Sequence, residues 1–546
     1  MSSAFGQSAF VPYGQDYYHL VDRFGIQAGH LSNSFHDNVK PFERKYIAEF
    51  IDEVSHDSLS FSKVDSFNIS YLKRDSWEFD STLKETEKPL FKVFFKQPAD
   101  FYFAKGDDYD VHISPMVNFT WGKDYADGSF EKQFINTRGV ELRGRIGKRL
   151  AFFSQFTENQ RSSPEFLKEY AYQQKGNPYY GFTKIVDEDS VKYKMDYMNA
   201  LGYLVFSPSK HVVLRFGHSK NFIGSGIRSM ILSDFSSPYF NFSANIRLGR
   251  LEYMNIMAKM NNRQEEVSIA NLVPIPPKFM AFHHLNVNVA KNLNVGLFEM
   301  VMFGDRKFDL NYMNPVIFYR FVEGLVGSSD NALVGADFKW NLFKHISLYG
   351  QLVLDEFNAK EEKKNGWYGQ KNAGQLGMKY INFLGIRQLD AQVEYNYARP
   401  YTYSHYNSYS NLLNYNLPLA HPLGANFKET ISVLRFQPFG RLQFKTTWML
   451  ATKGLDDGSG FNYGGDIGKN YRENRPQDEN VEIGQGLKTK INLWKMQLTY
   501  MPWHNIFVDF SFQNRMQSFD NPDLNKNTSL FMFGLRWNIF RPDFLF

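Results

Sequence analysis

The chain has 546 residues, with 62 Lys and Arg against 57 Asp and Glu for a net charge of +5. The basic residues are spread along it, not gathered into the concentrated face that nucleic-acid binding needs, and the absence of cysteine excludes disulfides and thiolate metal sites. Aromatic residues make up 17% of the chain at a mean hydropathy of −0.43, a combination that suits a wall with one lipid-facing and one wet side better than a soluble core.

In chain order, Ser2–Ser8 (SSAFGQS) reads as the tail of an export signal whose basic and apolar parts precede this numbering. Pro41 suits a first helical position, and Ile47, Phe50, Ile51 and Val54 form one apolar stripe behind it. Ser62 with Asp65 resembles a capping box, and Val64, Phe67, Tyr71 and Leu72 give the next stripe. These two amphipathic helices define an N-terminal region over 1–100, either a plug or periplasmic cap on the region that follows (101–546) or an ordinary helical subdomain.

From about residue 107 the apolar period changes from 3.6 to 2. Leu389, Ala391, Val393, Tyr395 and Tyr397 alternate with Asp390, Gln392, Glu394 and Asn396. The same rhythm holds in 441–450, with Leu442, Phe444, Trp448 and Leu450 against Arg441, Gln443 and Lys445. It holds again in 505–513, with Ile506, Val508, Phe510 and Phe512 against Asp509, Ser511 and Gln513. In 191–205, Val191, Tyr193, Met195, Tyr197, Leu201, Tyr203 and Val205 oppose Lys192, Lys194 and Asp196. Strand side chains alternate faces, so each segment is expected to have one greasy and one wet side.

About eighteen such strands are expected, at 107–121, 131–145, 148–159, 191–206, 211–218, 240–248, 251–261, 279–290, 292–303, 331–341, 343–355, 370–383, 387–398, 426–436, 441–451, 487–501, 504–514 and 528–540. The links between them alternate in length. Short turns such as Gly147-Lys148, Gly249-Arg250 and Pro502-Trp503 take turns with long loops at 160–190, 219–239, 262–278, 304–330, 399–425 and 452–486. An even strand number with tight turns on one rim and long loops on the other is the outer-membrane pattern, and a soluble sandwich has no reason to sort its loops this way. Closure satisfies every backbone group in lipid. In the last strand Phe531, Phe533, Leu535, Trp537 and Ile539 alternate with Gly534, Arg536 and Asn538, which resembles the aromatic strand read by barrel-insertion machinery. The fold class is therefore all-β transmembrane: a closed antiparallel outer-membrane β-barrel of about 18 strands with a small N-terminal α-helical segment. Its interior is wide enough for an aqueous channel unless the helices or loops fill it.

The strand His211–His218 and the loop after it carry Arg215, Gly217, Gly224, Gly226, Ser229, Leu232 and Ser233. A second segment, Tyr312–Val322 (YMNPVIFYRFV), is followed by Asp330, Asn331, Gly335, Ala336 and Asp337. Both resemble the Wzi-type capsule-assembly family of outer-membrane barrels. Asp16-Tyr17-Tyr18 and Lys40–Lys45 are similar to its gliding-motility, RemB-like relatives. The resemblance implies helices at the start of the chain and the handling of surface polysaccharide, or a gliding role.

Loops 160–190 and 399–425 are rich in Tyr (Tyr170, Tyr172, Tyr179, Tyr180; Tyr401, Tyr403, Tyr406, Tyr409, Tyr415). Tyr bodies stack on sugar faces while hydroxyls and neighbouring amides hydrogen-bond, although rings of this kind also pack loops together or form an interfacial girdle. Candidate glycan or loop contacts are Arg228, Ser229, Asp234, Asn314, Arg320, Tyr172, Tyr179, Tyr403 and Tyr406. No catalytic constellation, cofactor fingerprint or metal set stands out: Gly224-x-Gly226 lacks the rest of a dinucleotide spacing, and His283 and His284 are expected on opposite faces of a strand. Glu361-Glu362 reads as solvated, and Asp456-Asp457-Gly458 with Asp466 is oxygen-rich without matching any defined Ca²⁺ loop.

The reading is a non-enzymatic barrel of the Gram-negative outer membrane with extracellular long loops, binding or organising surface polysaccharide without a cofactor. Its expected partners are outer-membrane lipid and lipopolysaccharide, surface polysaccharide and other outer-membrane proteins or lipoproteins, and no nucleic acid. The alternatives are an accessory subunit of a gliding, secretion or barrel-assembly machine, and a diffusion pore.

Overall fold

The computed structural model describes the chain except residues 1–7, 33, 57–60, 81–82, 84–89, 127, 182–183, 186–193, 263–274, 328, 357–365 and 541–542. The proposed signal tail (Ser8 apart), Glu361-Glu362 and residues 191–193 thus lie outside the described residues.

Eighteen strands close a barrel. They are β1 Tyr109–Ala126, β2 Ser129–Ile146, β3 Leu150–Ser162, β4 Lys194–Ser209, β5 Val212–Ser219, β6 Tyr239–Leu248, β7 Leu251–Asn261, β8 Pro277–Ala290, β9 Leu293–Gly304, β10 Asn331–Leu342, β11 Ile346–Glu356, β12 Lys371–Tyr380, β13 Leu389–Ala398, β14 Phe427–Phe439, β15 Leu442–Leu455, β16 Leu487–Trp503, β17 Ile506–Phe519 and β18 Lys526–Trp537. Each overlaps one expected segment and pairs antiparallel with its chain neighbours. β18 closes the ring on β1, from Thr528 opposite Ala126 to Trp537 opposite Val117. Beyond Val117 the edge of β1 passes to Tyr102–Lys105, with Tyr102 opposite Ile113, so the seam has two partners set end to end. Backbone groups facing hydrocarbon must be paired, and a single short strand would have left part of this edge bare.

The outer wall is greasy as expected: Trp448, Phe510, Phe533 and Leu204 are all about half exposed. Their strand neighbours Lys445, Asp509 and Gln513 are buried on the inner face. The expected wet interior is corrected. In β4 the greasy set Met195, Tyr197, Tyr203 and Val205 points inward and is buried, while Met198, Leu204 and Phe206 look outward. Inward Met254, Ile256, Met280, Phe282, Met300, Met302, Ile431, Met449 and Leu493 likewise join one buried apolar cluster with loop residues. Apolar residues are stable on the inner face because protein, not water, meets them there.

Two sets of segments supply that protein. From the short-turn side come three helices, α1 Gln15–Ala28, α2 Arg44–His56 and α3 Lys63–Asp75. The sequence reading missed α1. Pro41 does not open α2, which begins at Arg44. The Ser62–Asp65 capping box on α3 is present in full, and Ser62 also accepts from Gln388 Nε2 at 2.8 Å, tying the helix start to a short turn. From the long-loop side, residues 219–239 and 399–425 fold into the ring, and residues 543–546, which follow β18 at its short-turn end, pack against them. The two sets meet: Val39 and Lys40 form a short antiparallel pair with Ile223 and Phe222.

Candidate functional site

The inner contacts are built from opposed charges. Asp22 of α1 accepts from Lys339 of β10 (2.8 Å) and from Lys379 of β12, and Lys339 also reaches Asp37 (2.5 Å). His19 and Arg23 converge on Asp390 of β13 at 2.9 and 3.0 Å, and Arg23 bonds Asp65 of α3 at 2.5 Å. Buried charges are tolerated when paired in this way, and losing one partner is expensive. α1 is held against the inner wall by these pairs.

The loop 219–239 is held by a second set. The Ile227 and Arg228 amides donate to the Glu394 carboxylate at 2.7 and 3.1 Å. Gly226 permits this approach, since a Cβ there would lie 2.4 Å from Glu394 Oε2. Arg228 makes a two-point contact with Glu429 (3.2 and 2.8 Å) and also donates to the Leu545 carbonyl, while His421 sits 2.9 Å from the same carboxylate. Burial pushes His421 down to about 4, and burial pushes Lys220 down to about 8. Ser229 Oγ donates to the Ile223 carbonyl (2.5 Å) and accepts from the amides of Ile231 and Leu232 (both 3.1 Å). Tyr403 donates to the Met230 carbonyl (2.7 Å) and Tyr179 to that of Asp543 (2.9 Å). The Asp234 carbonyl receives Lys220 at 2.9 Å.

The candidate residues therefore separate into groups. Arg228, Ser229, Tyr179 and Tyr403 are buried and Asp234 partly so, all inside the filled barrel, where they join segments to one another. Tyr172, on α4 (Glu165–Gln174), is 71% exposed. Asn314 and Arg320 belong to the β9–β10 connection, which packs on the outer wall, and both are exposed on it. Asp456 is engaged by Lys469 (2.6 Å) and Asp457 by the hydroxyl of Tyr463 (2.9 Å), so these carboxylates are committed to neighbours. His284 turns inward to Asp337 (2.6 Å) and His283 outward to Glu299 (3.0 Å), on opposite faces as the alternation requires.

Tyr406 is the exception, because it belongs to an accessible cluster on the long-loop rim. Its ring lies 4.2 Å from His405 and under the Arg472 guanidinium at 4.0 Å. Arg475 covers Tyr368 at 3.7 Å while donating to Asp478 (2.8 Å) and to the Tyr471 carbonyl (2.6 Å), and Trp367 packs beside Tyr368 at 5.3 Å. Tyr471, buried beneath, takes Lys371 over its ring at 4.4 Å. Three loops thus converge on one surface of rings and guanidinium groups, with Arg472, Asn474 and Gln477 exposed around it. Rings offer flat apolar faces and guanidinium groups offer forked donors, the pair that suits sugar rings bearing carboxylates.

Compared with solved structures, the chain is similar to Wzi, an outer-membrane protein involved in group 1 capsule assembly in Escherichia coli and described as a carbohydrate-binding β-barrel. The TM-score is 0.56 at 13% identity, covering 97% of this chain and 100% of that one. The fold is Wzi-like. Two Pseudomonas aeruginosa barrels, OccK8 (OprE) and OprD, align with this Wzi-like barrel over 78% of its length at TM-scores of 0.42 and 0.40 and identities of 8% and 10%, covering 98% and 94% of their own chains. No protein-family model and no curated protein of related sequence matches the Wzi-like chain. Sequence reasoning missed Trp367, Tyr368, Tyr471, Arg472 and Arg475. The available signal was Arg472 and Arg475 at a spacing of three in an Asn- and acid-rich loop, which only the fold brings to Tyr406.

Proposed function

We propose that this chain is a non-enzymatic barrel of the Gram-negative outer membrane that binds acidic surface polysaccharide on its extracellular, long-loop rim. The carrying observation is the half-buried cluster of Tyr406, Tyr368 and Trp367 beneath Arg472 and Arg475 on the long-loop rim, where Arg228, Ser229, Tyr179 and Tyr403 are instead buried inside the barrel. The carbohydrate binding named for the structurally similar Wzi supports the same reading. Sugar carboxylates would meet the exposed Arg472 guanidinium, and the sugar body would lie along the ring edges beside it. The test is a pull-down of the detergent-solubilised chain with the host's own acidic capsule, with neutral dextran as control. Replacing Arg472 and Arg475 by Ala is expected to weaken binding at least tenfold, since a charge-assisted hydrogen bond contributes about 1.5–3 kcal/mol. Equal retention of wild type and variant would end the proposal.

A second reading, an accessory subunit of a larger outer-membrane machine (including the RemB-like gliding role), draws on one observation. Leu90, Phe91 and Val93 are 53%, 76% and 43% exposed beside Phe94 and Phe95, and Phe95 stacks on Trp537 near the seam. Apolar groups left open at a rim mark contact surfaces. Gentle extraction followed by native mass measurement separates the readings: a particle of one 63.7 kDa chain disfavours the subunit role and stoichiometric partners favour it.

A further inference from the structure

The connection between β9 and β10 does not rise into the loop rim. It turns down the outside of the barrel. Tyr253, on the outer face of β7, donates to the Pro315 carbonyl, and Asn255 of the same face donates to the Tyr319 hydroxyl at 3.2 Å. Glu299, on the outer face of β9, accepts from the amides of Tyr319 and Arg320, both at 2.7 Å, which open the short helix α5 (Tyr319–Leu325). His283 stacks on Tyr319 with ring centroids 4.2 Å apart. Tyr312, Tyr319 and Val322 are buried against outward-facing Phe279, Ala281, Val301 and Phe303. Residues 305–327 thus form a strap across the outer wall of β7 to β10.

Its depth follows from the register. Tyr253 is opposite Leu285, which is opposite Leu297, and these two are 38% and 58% exposed. On β4 the outward apolar belt runs from Phe206 to Met198. Glu299 stands six residues above Leu293 at the short-turn end of β9, roughly 20 Å along the strand. The strap therefore lies at the height of the belt, in the half nearer the long loops. Asn255, His283 and Glu299 would be polar groups facing hydrocarbon there, and the strap covers them.

The opposite side of the strap is bare. Leu310 is 73% exposed, Met313 50%, Val316 85%, Phe318 77%, Phe321 61% and Leu325 71%. Asn311, Asn314 and Arg320 are exposed among them, and Arg320, its side chain 69% exposed, is paired with the buried Glu323 at 2.7 Å.

We propose that residues 310–325 are an intramembrane lipid-contact surface, occupied by acyl chains of the bilayer half nearer the long loops. The occupant is identified by continuity: the bare row is predominantly apolar, with Leu310, Met313, Val316, Phe318, Phe321 and Leu325, and it runs level with the lipid-facing belt of Leu285, Leu297, Val334 and Leu352. The strap widens the wall that meets lipid while sealing the polar groups behind it.

The absence of cysteine allows a clean test. Val316→Cys and Phe318→Cys are each spin-labelled in the full chain and reconstituted in phosphatidylcholine–phosphatidylglycerol vesicles. Collision with oxygen is then compared with collision with a water-soluble nickel chelate. Leu204→Cys on the belt and Ser459→Cys on an exposed loop are the references. Labels at 316 and 318 are expected to match the one at 204, with an oxygen-to-nickel ratio several-fold above that at 459. A ratio equal to that at 459 would place the strap in water and overturn the proposal. Shielding from both reagents would mean that protein, including a second copy of this chain, covers the surface, and would overturn it equally. If the label at 204 itself behaved like that at 459, the membrane barrel reading would fail instead.

Discussion

Arg228 illustrates how far a residue's role departs from its appearance in a list of loop residues. Lying in a polar-looking loop, it reads as a surface contact; in the fold it is 4% exposed and binds Glu429 of β14 and the carbonyl of Leu545. Replacing it by Met would leave Glu429 with His421 and Asn396 and no permanent cation among the described residues. Breaking a buried pair by removing one partner costs about 3–5 kcal/mol. Arg228→Met is therefore expected to lower the urea midpoint for release of the inner loops, followed by protease cleavage within 219–239. The double replacement of Arg228 and Glu429 by apolar residues should recover much of the loss, because no lone charge remains.

At the scale of elements, the legible and the hidden differ for a physical reason. α3 carries a local signal, Ser62 with Asp65, that needs only four residues to be read. Ser62→Ala is expected to cost about 1 kcal/mol of stability through the lost cap, seen as a lower thermal midpoint, with a further loss from the bond to Gln388. α1 carries no such cap, since Gly14 precedes it and offers no side chain. Tyr17, Leu20, Val21, Phe24 and Ala28 do recur at helical spacing, but Asp22, Arg23 and His19 between them are buried as well, so the helix has no wet face in the fold. Its polar residues meet Lys339, Lys379 and Asp390 on strands more than 300 positions away. The strap at 305–327 was hidden likewise: Glu299 and His283 break the greasy face of their strands, and only their partners at Tyr319 and Arg320 explain why.

For the whole molecule, two sets of segments enter the ring from opposite rims and join at Val39 and Ile223. A barrel of this strand number would otherwise enclose an aqueous channel. The full chain in a planar bilayer is expected to give no large conductance steps. Frequent openings of porin size would show that the inner segments do not stay in place.

The sequence alone determined the strand count, the alternation of faces and the sorting of short turns from long loops, because these depend on period and spacing, which are local. It could not determine which face of β4 looks inward, since a period of two makes Met195 and Tyr203 companions without saying what they touch. Only the tertiary structure decided that. A filled interior rewards apolar residues on the inner wall as lipid does on the outer one, and both environments write the same pattern along a strand.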